Sequence, residues 1–396
     1  MIKLGVIGYG GRGAGMVAHM EFHEAFGAKL VALCDADLDG ARQRLIGRDK
    51  DPASVRLYDD PDRMLDDEDL DAVMVSTRCS GHGPMAIKVL ARNLPLFIEK
   101  PVVTTLDDYA ALAAALAKST SPTLVSFPMR LTPLARTAWR VIDSGRLGPV
   151  THVQGTNNVP YGEVYYQTWY RDEDETGGLF LQKATHDIDL INRALGEVEP
   201  ACVAAMSSKL VFRGDRPAGL KCVDCGERHR CLESRYNKLA GTGAKLQAPV
   251  EEYQCAFASD TGNEDSGNVL IEYANGVQAV HTQNFYSRRG AACRKIRVIG
   301  HRGTLEFDYA TEQAVVWIHH HSTVERYDCR ADGEAHGGGD KQLAVNFLRM
   351  LKGEAESAAP LAVGLRSALI CLLARESAAT RQFQDATKYA AALAGR

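Results

Sequence analysis

Short apolar runs alternate with helix-like stretches through the first 125 residues. KLGVIG (3–8), AKLVALCD (28–35), LDAVMVST (70–77) and LPLFIEK (94–100) read as buried strands, and PTLVSFPMR (122–130) returns to strand. AGMVAHMEF (14–22) and the alanine-rich LDDYAALAAALAKS (106–119) read as helices between them. Strands separated by helices imply right-handed crossovers and a parallel sheet. Beyond about residue 148 the pattern changes. GPVTHVQGTN, SGNVLIEYANGVQAVHTQNF, CRKIRVIGHRGTLEFDY and QAVVWIHH are strands joined by tight turns, with an Asn275-Gly276 hairpin signal. The tail 340–396 is helical again, and HGGGD (336–340) reads as a flexible loop. The expected fold is therefore α/β in both parts. A doubly wound parallel sheet of Rossmann type (1–125) precedes an α+β domain (126–396) with a large, open, mainly antiparallel sheet.

The first strand runs straight into GYGGRG, which gives Gly8-x-Gly10-x-x-Gly13 before a helix. Gly8 permits a tight turn, Gly10 lets backbone approach a pyrophosphate, and Gly13 allows close helix packing. Asp35 closes the second strand, where a carboxylate accepts from both ribose hydroxyls and repels a 2′-phosphate. This points to NAD over NADP. Gly8, Tyr9, Gly10, Gly11, Arg12, Gly13 and Asp35 are the candidate contacts.

The segment LQKATHDIDL (181–190) sets Lys183, His186, Asp187 and Asp189 close together. Wound as one helix, it has an apolar stripe of Ala184, Ile188, Ile191 and Leu195. Gln182, His186, Asp189 and Arg193 fall opposite, with Lys183 flanking His186. Taken alone, this is a solvated surface helix.

A chain of 396 residues suggests two domains. Hydrophobic content of 45% and charged content of 24% are ordinary globular values. A net charge of −4 argues against nucleic acid or an anionic membrane as partner. The opening MIKLGVIGYGG is not a signal peptide, and no apolar run of about 18 residues could span a bilayer. Ten cysteines in such a chain favour reduced thiols or metal ligands, and a cytoplasmic location is expected.

At FIEKP (97–101) the chain resembles the Gfo/Idh/MocA family of sugar and inositol dehydrogenases. The likeness extends over Ser76, Thr77 and His82 after AVMVS, Glu99-Lys100-Pro101, Arg130 in FPMR, RVIDSGRLGPV (140–150), and Gly177, Gly178, His186 and Asp189. The resemblance implies a Rossmann domain and a second domain whose open sheet makes a homodimer or homotetramer. It also implies NAD contacts from Ser76, Thr77, His82, Glu99 and Lys100, and substrate contact from Arg130. Lys100 would touch the reacting hydroxyl and nicotinamide edge, with His186 as acid/base. The chemistry suits them: oxidising an alcohol requires a proton acceptor as hydride leaves, and a cation steadies the developing alkoxide. The histidine segment is then an active-site element.

Gln182 stands where many relatives carry aspartate. Lys183 is the expected replacement, as a catalytic group or as a holder of a substrate hydroxyl or acid, with Asp187 also on the substrate side. NNVPYGEVYYQTWYRDEDETGG (157–178) adds Tyr165, Tyr166, Trp169 and Arg171 as candidates for binding sugar faces and hydroxyls. Cys222-x2-Cys225-x5-Cys231 suits structural zinc. In a similar subgroup with a Cys-rich insertion (here about 215–256), the fourth ligand would be Cys255, with His229 in reserve. The remaining cysteines read as small buried hydrophobes. The function expected is NAD-dependent oxidation of a secondary hydroxyl in a sugar, sugar acid or cyclitol. The alternative is a glycoside hydrolase working by transient C3 oxidation, elimination and re-reduction.

Overall fold

The computed structural model describes residues 1–23, 27–238, 252–330 and 335–392, so part of the expected insertion lies outside the described residues. The first half alternates strand and helix: β1 (Ile2–Ile7), α1 (Gly11–Phe22), β2 (Ala28–Cys34), α2 (Leu38–Ile46), β3 (Arg56–Tyr58) and α3 (Pro61–Asp67). It continues through β4 (Ala72–Val75), α4 (Cys79–Ala91), β5 (Leu96–Ile98), α5 (Leu106–Lys118) and β6 (Thr123–Val125). All six strands are parallel, in the order β3-β2-β1-β4-β5-β6. Every residue of β4, β5 and β6 is buried, as helices on both faces require. The short edge strand β3 was not expected, because three residues carry no readable period. Helix α5 shows how local chemistry sets an element. The Thr105 side chain caps it, Asp107 and Asp108 occupy the first turn, and Tyr109, Leu112, Ala113 and Leu116 form its buried stripe.

The second half begins with α6 (Pro133–Asp143), β7 (Val150–Asn158), α7 (Val164–Gln167), α8 (Glu173–Thr176), α9 (Leu179–Gln182), α10 (Thr185–Ala194) and β8 (Pro200–Ser208). Then come α11 (Arg235–Lys238), β9 (Ser266–Tyr273), β10 (Gln278–Asn284), β11 (Cys293–Gly300), β12 (Gly303–Asp308), β13 (Gln313–Ile318) and β14 (Val324–Asp328). The chain ends in α12 (Gly339–Leu351), α13 (Leu361–Thr380) and β15 (Gln384–Asp385). The nine strands are ordered β14-β13-β12-β11-β7-β10-β9-β8-β15, antiparallel except where β7 and β10 run parallel.

The tail joins the two sheets. Helix α12 packs on α1, while α13 lies against α5 and β6 on one side and β8, α9 and α10 on the other. HGGGD is not a free loop: Gly338, at φ +77°, precedes α12, and a Cβ on Gly339 would collide with the Pro128 carbonyl. The histidine segment is not one surface helix either. It breaks at Lys183 and Ala184 between α9 and α10, and His186, Asp187, Asp189 and Asn192 are all buried.

Candidate active site

The glycine loop follows β1 at the point where strand order reverses between β1 and β4, the place where open α/β sheets hold ligands. Gly8 sits at φ +86°, and a Cβ there would stand 2.5 Å from the Thr77 amide nitrogen. Ser76 Oγ donates to the Gly8 carbonyl at 2.6 Å and lies where a Gly13 Cβ would have to go. Gly10 and Gly11 differ: no heavy atom lies within 4 Å of where their Cβ atoms would stand. The start of α1 therefore forms an open cradle, and its first-turn amides suit a pyrophosphate. Asp35 accepts from the Tyr9 amide (2.6 Å) and the Asp37 amide (2.9 Å), which fixes its carboxylate at the end of β2. The cleft, of about 810 Å³, runs from these residues past Thr77 and Arg78 to Trp169 and Tyr170. The residues present fit a dinucleotide.

Not every expected contact faces this cleft. The Tyr9 ring is wholly buried in the core, leaving only its backbone at the loop. His82 is buried between the Pro101 carbonyl (2.7 Å) and the Thr77 carbonyl (3.0 Å), and burial lowers its pKa. It braces the lysine turn. Arg12 does line the cleft, with its guanidinium held by Glu99 (2.8 Å), Ser126 (2.9 Å) and Asp340 (2.8 Å). Trp169, expected on the substrate side, lines the dinucleotide cleft, stacked on Tyr170 at 4.0 Å under the Arg78 guanidinium.

Lys100 leaves the end of β5 and donates to the Gln182 carbonyl at 2.7 Å, at the break between α9 and α10. This bond brings the Lys100 side chain to the segment carrying Lys183 and His186. Burial pushes the Lys100 ammonium down to about 8, and the neighbouring cations Lys183 and Arg294 add to the fall. Lys183, only 5% exposed, donates to the Tyr161 hydroxyl at 2.5 Å. Tyr161 is half exposed, and its phenol is lowered chiefly by the Lys183 charge, against burial and with help from Arg294. The His186 ring packs edge-on to Phe127 at 5.8 Å.

Two buried clamps hold α10. Asp187 takes Arg294 Nε (2.7 Å) and Asn157 Nδ2 (2.8 Å), and Arg294 and Asn157 are cross-strand partners on β11 and β7. Burial opposes ionisation of Asp187, yet Arg294 keeps its carboxyl below the usual range. Asp189 takes both arms of Arg130 at 2.7 Å, and Arg130 also reaches Glu197 at 2.6 Å. Burial works against the charged guanidinium, but these two carboxylates hold Arg130 protonated. Arg130 is thus committed inside the protein, as is Arg171, bound to Gln254, Asp260 and Thr261 (2.9 Å). The ring of Tyr165 is buried against Phe285, and Tyr166 is buried with its hydroxyl on the Glu264 carbonyl (2.7 Å). Tyr161 and Arg294 were not anticipated. Tyr161 lay among many aromatic residues, and Arg294 sits in a strand without any motif.

The zinc site expected from cysteine spacing is not formed. Among the described residues no group of three His, Cys, Asp or Glu side chains is arranged to hold a metal ion. Cys222, Cys225, Cys231 and Cys255 are free thiols. Cys222 donates to the Gln254 carbonyl at 3.5 Å and lies 3.8 Å from Gln167 Nε2. Burial first, then the nearby Cys255, Cys231 and Cys225, push the Cys222 thiol up to about 11. Of the other cysteines, Cys202 and Cys293 are only partly buried.

Residues 2–127 match the oxidoreductase family with an NAD-binding Rossmann fold, and residues 135–306 match the GFO/IDH/MocA C-terminal domain. The chain belongs to the Gfo/Idh/MocA family. Among the relatives of this family member is Bacillus subtilis (strain 168) YteT, 26% identical over 72% of this chain and 74% of that protein. The scyllo-inositol 2-dehydrogenase (NAD(+)) of the same organism is 29% identical over 43% of this chain and 47% of its own length. A glycosyl hydrolase family 109 protein from Shewanella sp. (strain ANA-3) is 34% identical over 27% of this chain and 24% of its own. The match thus spans about three quarters of YteT but about half of the inositol dehydrogenase. Levoglucosan dehydrogenase, solved with NADH and levoglucosan, shares the fold at a TM-score of 0.75, with 18% identity over 97% of this chain and 99% of that one. No described helix is long and apolar enough to cross a membrane.

Proposed function

We propose that the protein is an NAD-dependent dehydrogenase oxidising a secondary hydroxyl of a sugar, sugar acid or cyclitol. The observation that carries this reading is the Lys100–Gln182 bond, which joins the Rossmann strand end to the break bearing Lys183 and His186. When bound, NAD would supply the hydride acceptor, held by the Gly10–Gly11 cradle with its ribose at Asp35. His186 takes the hydroxyl proton, and the Lys100 ammonium steadies the alkoxide as it forms. The two clamps on Asp187 and Asp189 fix α10, so the imidazole is presented at a set position. Lys183 and Tyr161 lie on the substrate side. Asp35 favours NAD over NADP, although Arg44 approaches it to 3.9 Å; Asp35→Ser should narrow the preference measured by cofactor titration. Inositol and levoglucosan dehydrogenases among the relatives support the substrate class.

The test is kinetic. His186→Ala should leave NAD affinity nearly intact and lower turnover by roughly 10²–10⁴, the usual share of one positioned acid/base group. Near-normal turnover in that variant would remove the assignment. The glycosidase reading, favoured by the Shewanella relative, is separated by product: NADH accumulates from free sugars in a dehydrogenase, whereas aryl glycosides are cleaved without net NADH in the alternative.

A further inference from the structure

The cofactor cleft draws its walls from both halves of the chain. Gly8, Gly10, Gly11, Asp35 and Thr77 come from the Rossmann half, whereas Trp169 and Tyr170 come from the segment between α7 and α8. That segment is anchored firmly on its own side. Arg171, only 5% exposed, bonds Gln254, Asp260 and Thr261 (2.9 Å), and past α8 Glu264 takes the Phe180 amide at 2.8 Å. The Asp172 carboxylate accepts from the Asp174 (3.1 Å) and Glu175 (3.3 Å) amides, so the turn carrying Glu175 is itself fixed.

On the Rossmann side, α4 starts without a cap of its own: its N-cap residue, Arg78, makes no side-chain bond to the first turn. The Ser80 amide is therefore among the donors that a helix start leaves unmatched. Glu175, 95 residues away in the chain, supplies the acceptor. One of its carboxylate oxygens takes the Ser80 amide at 3.1 Å and the Ser80 hydroxyl at 2.8 Å, and a negative group suits the positive end of a helix. Arg78 meanwhile lays its guanidinium over Trp169, 5.0 Å from the ring centre, and Trp169 stacks on Tyr170 at 4.0 Å. Arg78, Trp169 and Tyr170 line the cleft, whereas Glu175 does not. Arg78 and Ser80 are exposed, so this fastening is made in water, where each such bond is weak and opens readily.

We propose that Glu175 is a latch. By capping α4 from the second half of the chain it holds Trp169 and Tyr170 against the cleft, and the dinucleotide enters and leaves when that fastening opens. The latch rests on NAD filling the cleft and is independent of which hydroxyl is oxidised. Glu175 is a positioning residue, acting through Ser80 and the segment it closes. A gate differs from a direct contact in its kinetics. Losing a direct contact speeds release and leaves entry alone, whereas weakening a gate speeds both, because the same open state serves both directions.

The test follows NADH by stopped flow, with entry read from its fluorescence and release from displacement by excess NAD. Glu175→Ala should raise both rates about tenfold, while the dissociation constant stays within about threefold and the melting temperature is that of the wild type. Glu175→Gln keeps an oxygen that both Ser80 donors can use and should stay within about threefold of wild type. Wild-type rates in Glu175→Ala, faster release with unchanged entry, or Glu175→Gln as fast as Glu175→Ala would overturn the proposal. A lower melting temperature joined to weaker binding would make Glu175 a fold residue and overturn it as well. Failure to bind NADH at all would remove the latch together with the cofactor reading. NADH gated in this way by a protein that oxidises no sugar, sugar acid or cyclitol would uphold the latch and count against the dehydrogenase reading instead.

Discussion

Replacing Lys100 with methionine keeps the length of the side chain and removes its charge. The ammonium falls from 10.5 to about 8, with burial the main cause. At about 1.4 kcal/mol per tenfold change, holding it charged in this buried setting costs ~3 kcal/mol. An alkoxide forming beside it offsets that cost, so the same ~3 kcal/mol is the scale of transition-state stabilisation at stake. Loss of the ammonium should then lower turnover by roughly 10²–10³, as loss of one donor to a developing oxyanion does. Lys100 must be protonated to act, so wild-type activity should decline as pH rises through about 8. Steady-state rates of NADH formation across pH, with NAD affinity measured separately by fluorescence, provide the assay. Lys100→Met should lose the alkaline decline along with the rate while binding NAD within about threefold of wild type, since Gly10, Gly11 and Asp35 stay in place. Wild-type turnover in that variant, or an unchanged alkaline limb, would refute the argument.

Two glycines should separate fold from cofactor binding. Gly10→Ala, whose Cβ meets nothing in the protein, should leave the melting temperature unchanged and raise the NAD dissociation constant, whereas Gly13→Ala, which strikes Ser76, should lower both stability and affinity. Calorimetric melting and fluorescence titration of both variants check this. Arg130→Met leaves the buried carboxylate of Asp189 without its partner and should cost about 3–5 kcal/mol, seen as a lower denaturation midpoint. If instead Arg130 held substrate, that variant would keep its stability and lose affinity for the sugar.

Much of the cofactor half was legible because its determinants are contiguous. A glycine that must be glycine, a buried strand and a carboxylate at the next strand end all lie within the first 35 residues, and steric rules act over that span. Parallel strands announced themselves as unbroken apolar runs, while alternation marked β9 and β10. The histidine segment could be read for its chemistry but not for its setting. Its polar residues looked solvated because their partners come from far along the chain: Lys100 is 82 residues from Gln182, Arg130 is 59 from Asp189, and Arg294 is 107 from Asp187. The cysteine spacing was legible too, yet spacing does not say whether four thiols converge, and here they do not form a metal centre.

By itself, then, the sequence determined the order of elements and the dinucleotide loop, since each depends on neighbours in the chain. Only the tertiary structure decided what surrounds them. The antiparallel register that sets Arg294 opposite Asn157 places both on Asp187, and a one-residue slip of β11 against β7 would turn Arg294 to the other face of the sheet. The clamp on Asp187 depends on that pairing between distant strands, which no local pattern of residues encodes.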